Sequence, residues 1–198
     1  IEETDTYLIP GGEYTATVTG YDWEYVNLKG GHAEGGTLTL LWHERAGLVI
    51  CGGMSQYTMR EANNMQLPRF GRHECVTPRL ECTALEGKTV YSSLYDGRCE
   101  MIFSETGAGT VIAVKGRLTD INHHILEDGG AYDAEYSFEA GGVRVRINVN
   151  QNARFILPLV SGSTENAVWD ERGMTIEKRA SRVHVNVENG VFHLPYKS

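Results

Sequence analysis

The chain has 198 residues, of which 41% are hydrophobic and 22% charged, and its formal net charge is −8. This ordinary globular composition excludes a disordered or collagen-like chain. An acidic surface also argues against a protein that binds nucleic acid, because neutralising a polyanion needs clustered cations. No stretch approaches ~20 consecutive apolar residues, the length that a membrane helix needs, so we expect no membrane partner.

Short β-type runs recur along the chain. The first lie at 15–19 and 37–42, each just after a pair of glycines, and the later runs alternate apolar and polar residues at 132–139, 143–149 and 183–187. A period of two places one set of side chains in a core and the other in water. Helical periodicity is almost absent. The pattern therefore predicts an all-β fold, a large antiparallel sandwich of two sheets, formed as a single domain.

The four cysteines form no Cys-x-x-Cys pair, so the sequence indicates neither a zinc knuckle nor a thioredoxin-type redox site. Their positions are Cys51, Cys75, Cys82 and Cys99, and three disulfide pairings stay open. Cys51 and Cys82 lie in β-type runs, where a free cysteine is most often a buried small hydrophobe. No Asn-x-Ser/Thr sequon occurs, so the cellular compartment stays open.

The least strand-like stretch runs from Tyr57 to Pro78 and is rich in Arg, Asn, Gln and Glu. A connection of this length in a compact domain is usually functional. Arginine forks suit the carboxylates of uronate sugars, and amide side chains suit sugar hydroxyls. The residues in and next to this stretch that we expect to contact a glycan are Arg60, Asn64, Gln66 and Arg79. Alternatively, the stretch is a structural flap over a sandwich edge, with its arginines either solvated or paired to nearby glutamates.

A second candidate site lies in the run Gly30-Gly31-His32-Ala33-Glu34-Gly35-Gly36, where glycines flank a histidine and a carboxylate. On an extended backbone, residues i and i+2 point to the same side, so His32 and Glu34 can share one substrate or one metal. The alternative is a solvated histidine in a glycine-rich hairpin.

The run 32–38, His-Ala-Glu-Gly-Gly-Thr-Leu, and the strand and turn after it at 40–53 resemble a motif of the heparinase II/III-like polysaccharide lyases. That motif, Gly-His-x-His-Ala-Asp-x-x-Ser-Phe, opens the β-sandwich of those enzymes. The resemblance implies that residues 1–198 are the C-terminal sandwich domain of a larger lyase. An α/α-toroid catalytic domain would precede it, with the active cleft between the two domains. The implied ligand is an acidic, uronate-containing polysaccharide of the glycosaminoglycan type.

The same resemblance assigns roles to two residues. His32 is the expected catalytic residue of this domain, and Glu34 is an expected substrate contact. Gly30 stands where the family motif has its first histidine, and Ile50 and Cys51 lie where the family usually carries an aspartate. We therefore expect no cofactor, with a divalent metal such as zinc as the alternative. Because half of the cleft would be missing, we expect the isolated chain to be inactive.

Two other classes of function stay open. One is a non-catalytic structural scaffold that stabilises a neighbouring domain. The other is a carbohydrate-binding module, which would expose coplanar aromatic rings. Tyr21, Trp23 and Tyr25 share one face of an extended run and are the candidates for such a platform. Aromatic side chains dominate sandwich interiors, so we favour a core position for these three.

Overall fold

The chain folds as an antiparallel all-β protein, as the alternating pattern predicts. The computed structural model describes residues 5–20, 34–44, 47–52, 77–84, 87, 89–139, 142–149 and 153–157. For 28–29, 58–59, 166–170, 173–178, 181–188 and 191–197 it describes the backbone of the strands alone.

Seventeen strands and one short 3₁₀ helix, Ser93–Tyr95, lie in the described part of the chain. The strands are β1 (Thr6–Pro10), β2 (Tyr14–Thr19), β3 (Leu28–Lys29), β4 (Thr37–His43), β5 (Gly47–Cys51), β6 (Thr58–Met59), β7 (Arg79–Thr83), β8 (Val90–Ser92), β9 (Glu100–Thr106), β10 (Gly109–Arg117), β11 (Ala131–Glu139), β12 (Gly142–Val149), β13 (Arg154–Ile156), β14 (Asn166–Asp170), β15 (Gly173–Lys178), β16 (Ser181–Glu188) and β17 (Val191–Lys197).

Two sheets form the body of the fold. A four-stranded sheet has the order β1-β2-β4-β5, and an eight-stranded sheet has the order β14-β15-β16-β17-β12-β11-β10-β9. Two smaller sheets, β13-β7-β8 and β3-β6, complete the described strands. The hydroxyl of Tyr14 on β2 donates a 2.9 Å hydrogen bond to the carbonyl of Glu139 on β11, which joins the two large sheets.

The core fills the space between these two sheets. Leu38 and Leu41 point into it from β4, and Ile112 and Val114 point into it from β10, each at most 1% exposed. On β10 the residue between Ile112 and Val114 faces outward, which is the period-two pattern that the sequence shows. On β4 a register shift opposite Thr17 and Val18 breaks that period, so that Leu38 and Leu41 both reach the core although they are three positions apart. Burying each such side chain stabilises the fold by about 2 kcal/mol, so interlayer packing is the main source of stability.

The cysteines divide between the core and the surface. Cys82 is 9% exposed and buried, as predicted, but Cys51 is exposed, so the prediction of a buried Cys51 was wrong. Cys51 pairs with Leu40 at the end of β5 and faces outward from the four-stranded sheet. Both of these cysteines, and Cys99, carry free thiols. Within the described residues, the chain has no helix long and apolar enough to cross a membrane.

Candidate functional site

A cleft of about 530 Å³ opens at one end of the eight-stranded sheet. Its walls come from the end of the 3₁₀ helix and the turn after it, the start of β9, the end of β10 and the segment 119–125. The lining residues are Tyr95, Asp96, Gly97, Arg98, Glu100, Lys115, Gly116, Arg117, Thr119, Asn122, His123 and Ile125.

Asp96 is the buried anchor of this cleft, at 5% exposure. One carboxylate oxygen accepts a 3.2 Å hydrogen bond from the backbone N–H of Arg98, and the other accepts a 2.7 Å bond from that of Arg117. A single carboxylate therefore fixes the backbone from which two cationic side chains start. Burial raises the pKa of Asp96, and these hydrogen bonds, together with one from Tyr132, partly oppose that rise.

The back wall depends on Gly35 and Tyr132. The N–H of Gly35 donates to the carbonyl of Asp96 at 3.1 Å. Tyr132 Oη lies 3.1 Å from the carbonyl oxygen of Gly35 and 3.2 Å from Asp96 Oδ2, so two acceptors share its one proton. Gly35 has a φ of +71°, and a Cβ there would overlap the carbonyl oxygen of Ser93. Only glycine fits this position, because any side chain meets backbone.

Three cations face the cleft. Lys115 and Arg117 alternate on the outer side of β10, and Arg98 follows the 3₁₀ helix; all three are exposed. Among the described residues, neither Lys115 nor Arg117 makes an ion pair. The lining also holds two carboxylates, Asp96 and Glu100, and Lys115 lies in register with Glu100 on β9 and with Asp133 on β11. The cleft lining therefore has a small excess of cations, three against two carboxylates, on a protein of net charge −8.

His123 is held rigidly at one edge. Its Nδ1 lies 2.8 Å from the carbonyl oxygen of Tyr95, so Nδ1 carries the proton and donates it. Its φ of +64° is left-handed, which is uncommon for a residue with a side chain and costs about 1 kcal/mol. Glu34 Oε2 lies 3.9 Å from Nδ1, which places a buried carboxylate next to the ring. The arrangement aligns imidazole and carboxylate at the cleft.

Thr119 supplies a buried hydroxyl to the cleft lining. The residue is 4% exposed, and its backbone exchanges hydrogen bonds with Ser92. Its Oγ1 has no hydrogen-bond partner among the described residues. This atom is fully buried, so it does not contribute a contact to a ligand in the cleft.

The residues predicted from sequence fall in three places. Glu34 is 6% exposed and lies behind the cleft, in contact with His123 rather than in the lining. Arg79 lies on β7, where its Nε donates a 2.9 Å hydrogen bond to Glu81, the pairing that the structural alternative anticipated. The other predicted residues, His32, Arg60, Asn64 and Gln66, lie outside the described residues. Their assigned roles stay predictions.

The described parts of the chain contain no group of three or more His, Cys, Asp or Glu side chains that could hold a metal ion. His32, the residue that the zinc alternative needs, lies outside those parts. The expectation that the domain binds no cofactor therefore stays a prediction.

Sequence reasoning missed the cleft itself. The adjacent histidines of Asn122-His123-His124 indicate an exposed turn rather than a shared metal site. His124 is 77% exposed, but His123 is 24% exposed and lies in the cleft lining. The sequence feature that could have indicated the cleft is the alternation over 109–117, which places Lys115 and Arg117 on one face of β10. Nothing local in the sequence shows that Asp96 would join them.

Comparison with known proteins supplies the family. Residues 1–197 match the family described as ulvan lyase C-terminal domain. The chain belongs to this family. It is also similar to a broad-specificity ulvan lyase of Formosa agariphila, at 27% identity over 184 residues, which cover 89% of this chain and 28% of that enzyme. No solved structure matches the chain. Membership of the ulvan lyase C-terminal domain family confirms the coarser part of the resemblance, a polysaccharide lyase C-terminal domain.

Proposed function

We propose that this chain is the accessory C-terminal domain of an ulvan lyase-like enzyme and that its cationic cleft binds the acidic polysaccharide. The observation that carries the proposal is the convergence of Arg98, Lys115 and Arg117 on one cleft of an acidic protein. The buried Asp96 fixes the backbone at two of these residues, Arg98 and Arg117, through their N–H groups.

The chemistry of the lining suits a charged sugar. Guanidinium groups bind carboxylates and sulfates through paired N–H donors, and the Lys115 ammonium adds a point charge. Tyr95 and Ile125 supply apolar surface for the ring face of a sugar. A volume of about 530 Å³ is within the range of small-molecule sites, so the cleft holds a short stretch of the polymer.

The finer proposal concerns the reaction of the whole enzyme. We infer a heparinase II/III-like lyase, in which an α/α-toroid catalytic domain of the same parent chain precedes this one. Such an enzyme removes the proton α to a uronate carboxylate and eliminates the 4-linked sugar. Neutralising that carboxylate makes the proton easier to remove, which is the contribution a cationic cleft offers. His32 stays the proposed catalytic residue here, and the proposed further contacts are Glu34, Arg60, Asn64, Gln66 and Arg79.

Charge reversal in the cleft tests the binding proposal. We expect Lys115→Glu/Arg117→Glu to lower the affinity of the chain for ulvan oligosaccharides at least tenfold at low salt, measured by isothermal titration calorimetry. Added salt should weaken the wild-type affinity, because exposed charges are screened beyond about 8 Å at physiological ionic strength.

A matched control separates the cleft from net charge. Arg144→Glu/Arg146→Glu makes the same charge change on β12, on the outer side of the same sheet but outside the cleft lining. The proposal expects the control to bind within about threefold of wild type, since distant surface charges act weakly. An equal loss of affinity in both double variants, or no binding by wild type, would overturn it.

A further inference from the structure

The outer face of the four-stranded sheet carries no charged side chain among its described residues. We call this surface the apolar face; its apolar members and thiol are Leu8, Pro10, Leu40, Trp42, Leu48 and Cys51. Leu8 is 66% exposed, Trp42 is 42% exposed and Cys51 is exposed. An exposed strand face of a soluble protein normally carries polar or charged residues.

The pairing register makes the apolar face continuous. One row across the four strands is Pro10, Thr15, Trp42 and Leu48, and the next is Leu8, Thr17, Leu40 and Cys51. Each row runs from β1 to β5 without a break. Neighbouring strands lie about 4.8 Å apart, so the side chains within a row touch or nearly touch.

The threonines of this face bond to one another. Thr39 Oγ1 lies 2.8 Å from Thr17 Oγ1 and 3.0 Å from Thr19 Oγ1, and it also lies 3.3 Å from the carbonyl oxygen of Thr17. Hydroxyls that satisfy each other lose little when water is removed from them. Thr39 is already only 8% exposed and Leu40 and Leu48 are half-buried, so the exposed part of the apolar face consists of Leu8, Pro10, Trp42 and Cys51.

The opposite outer face shows the usual alternative. On the eight-stranded sheet the outward positions carry charges of both signs, including Asp133 and Glu135 on β11 and Arg144 and Arg146 on β12. Arg144 forms an ion pair with Glu139 at 3.4 Å. Among the described residues, the outward positions of β11 and β12 include charged side chains, whereas those of the four-stranded sheet do not. The eight-stranded sheet exposes apolar residues on β9, where Ile102 is 46% and Phe103 44% exposed, but these lie beside charged neighbours. The uncharged four-stranded face is therefore the one better suited to an apolar protein partner.

The size of the face favours one kind of partner. Four strands about 4.8 Å apart, with about five residues each at 3.3 Å per residue, cover roughly 300 Å². Domains of one chain meet over about 600–1,500 Å² counted on both sides, whereas a stable dimer needs about 800 Å² on each partner. A face of this extent lies at the lower end of one side of a contact between domains and falls short of the area that a standard dimer interface buries.

We propose that the apolar face is the interface with the catalytic domain of the parent lyase, with Trp42 as its central anchor. This rests on the proposed function, since this chain corresponds to 28% of the similar ulvan lyase. β1 is both the first strand and the edge of this sheet, so a preceding domain would connect beside the face. The contacting surface of that domain is apolar and uncharged, because a charge buried here would find no partner.

Cys51 provides a reporter within the face. In the isolated chain we expect a maleimide reagent to label Cys51 rapidly, and in the full-length enzyme at least tenfold more slowly, with each site quantified by peptide mass spectrometry. Cys82 and Cys99 are internal controls that stay slow in both proteins. Cys82 is buried, and burial with the nearby Asp96, Asp5 and Glu34 charges raises the pKa of Cys99 to about 12.

Variants give a second measurement. Leu8→Lys or Trp42→Lys in the full-length enzyme should restore rapid labelling of Cys51, whereas Ile102→Lys, a 46% exposed position on β9 of the other sheet, should not. Equal labelling rates of wild-type Cys51 in the isolated chain and the full-length enzyme would overturn the interface. So would protection of Cys51 in the isolated chain together with a dimeric mass in light scattering, since a second copy would then cover the face.

The two proposals fail separately. Loss of selective glycan binding, with Cys51 protected in the full-length enzyme, would overturn the cleft and support the interface. Normal glycan binding with Cys51 freely labelled would support the cleft and overturn the interface.

Discussion

Replacing Gly35 with alanine adds one methyl group at the back wall of the cleft. Gly35 has a φ of +71°, and the new Cβ would overlap the carbonyl oxygen of Ser93. Gly12 is its matched control, with a φ of +77° and no atom within 4 Å of the position that a Cβ would take. The two substitutions share the left-handed strain, about 1 kcal/mol, and the same gain from a less flexible unfolded chain. Only Gly35→Ala adds the steric clash, which costs a further ~1–3 kcal/mol.

Urea unfolding followed by circular dichroism measures the difference. We expect the free energy of unfolding to fall by about 3 kcal/mol for Gly35→Ala and by at most about 1 kcal/mol for Gly12→Ala, at an unchanged urea dependence. In thermal unfolding, these two losses of free energy correspond to a melting temperature lowered by about 9 °C for Gly35→Ala and by at most about 3 °C for Gly12→Ala, for a domain of this size. Equal losses in the two variants would refute the close contact between Gly35 and the 3₁₀ helix.

Three further comparisons, made with four substitutions, test the surrounding structure by the same unfolding assay. Tyr132→Phe removes the hydroxyl that bonds Gly35 and Asp96, and it should lower the free energy of unfolding by about 1–2 kcal/mol; an unchanged value would contradict that contact. Leu41→Ala opens a cavity in the core and should cost about 3 kcal/mol, whereas Leu40→Ala, on the apolar face, should cost clearly less in the isolated chain. For Asp120, partial burial favours a raised pKa, but hydrogen bonds from His124 and Asn122 lower it below 3.8. Its stabilising contribution is therefore full above pH 3.8 and lost as the pH falls through the lowered pKa. The stability advantage of wild type over Asp120→Asn should shrink over that acidic range, and a constant difference would contradict the assignment.

Local alternation is enough to predict the strands of this fold. Tyr132–Glu139 and Val143–Val149 alternate without interruption, and both fall within strands of the eight-stranded sheet. A period-two pattern needs only that one face of a strand meets the core. For Cys51 the same pattern does not predict whether the side chain is buried or exposed. On the apolar face both sides of a strand carry apolar residues, so the sequence does not show which side is inside.

The site depends on contacts between residues that are far apart in the sequence. Tyr132 and Gly35 are 97 positions apart, and Asp96 and Arg117 are 21 apart. Glu34 of the His-x-Glu motif lies 3.9 Å from His123, whereas His32 lies outside the described residues. No spacing rule connects these two segments, because the contact follows from how the sheets pack.

Nuclear magnetic resonance shift mapping tests the central claim most directly. An ulvan oligosaccharide titrated into the ¹⁵N-labelled chain should shift the amide signals of 95–100, 115–119 and 122–125, the segments that line the cleft. The same titration of Lys115→Glu/Arg117→Glu should leave those signals nearly unmoved. Saturable shifts confined to another surface, or none at all in wild type, would contradict the account.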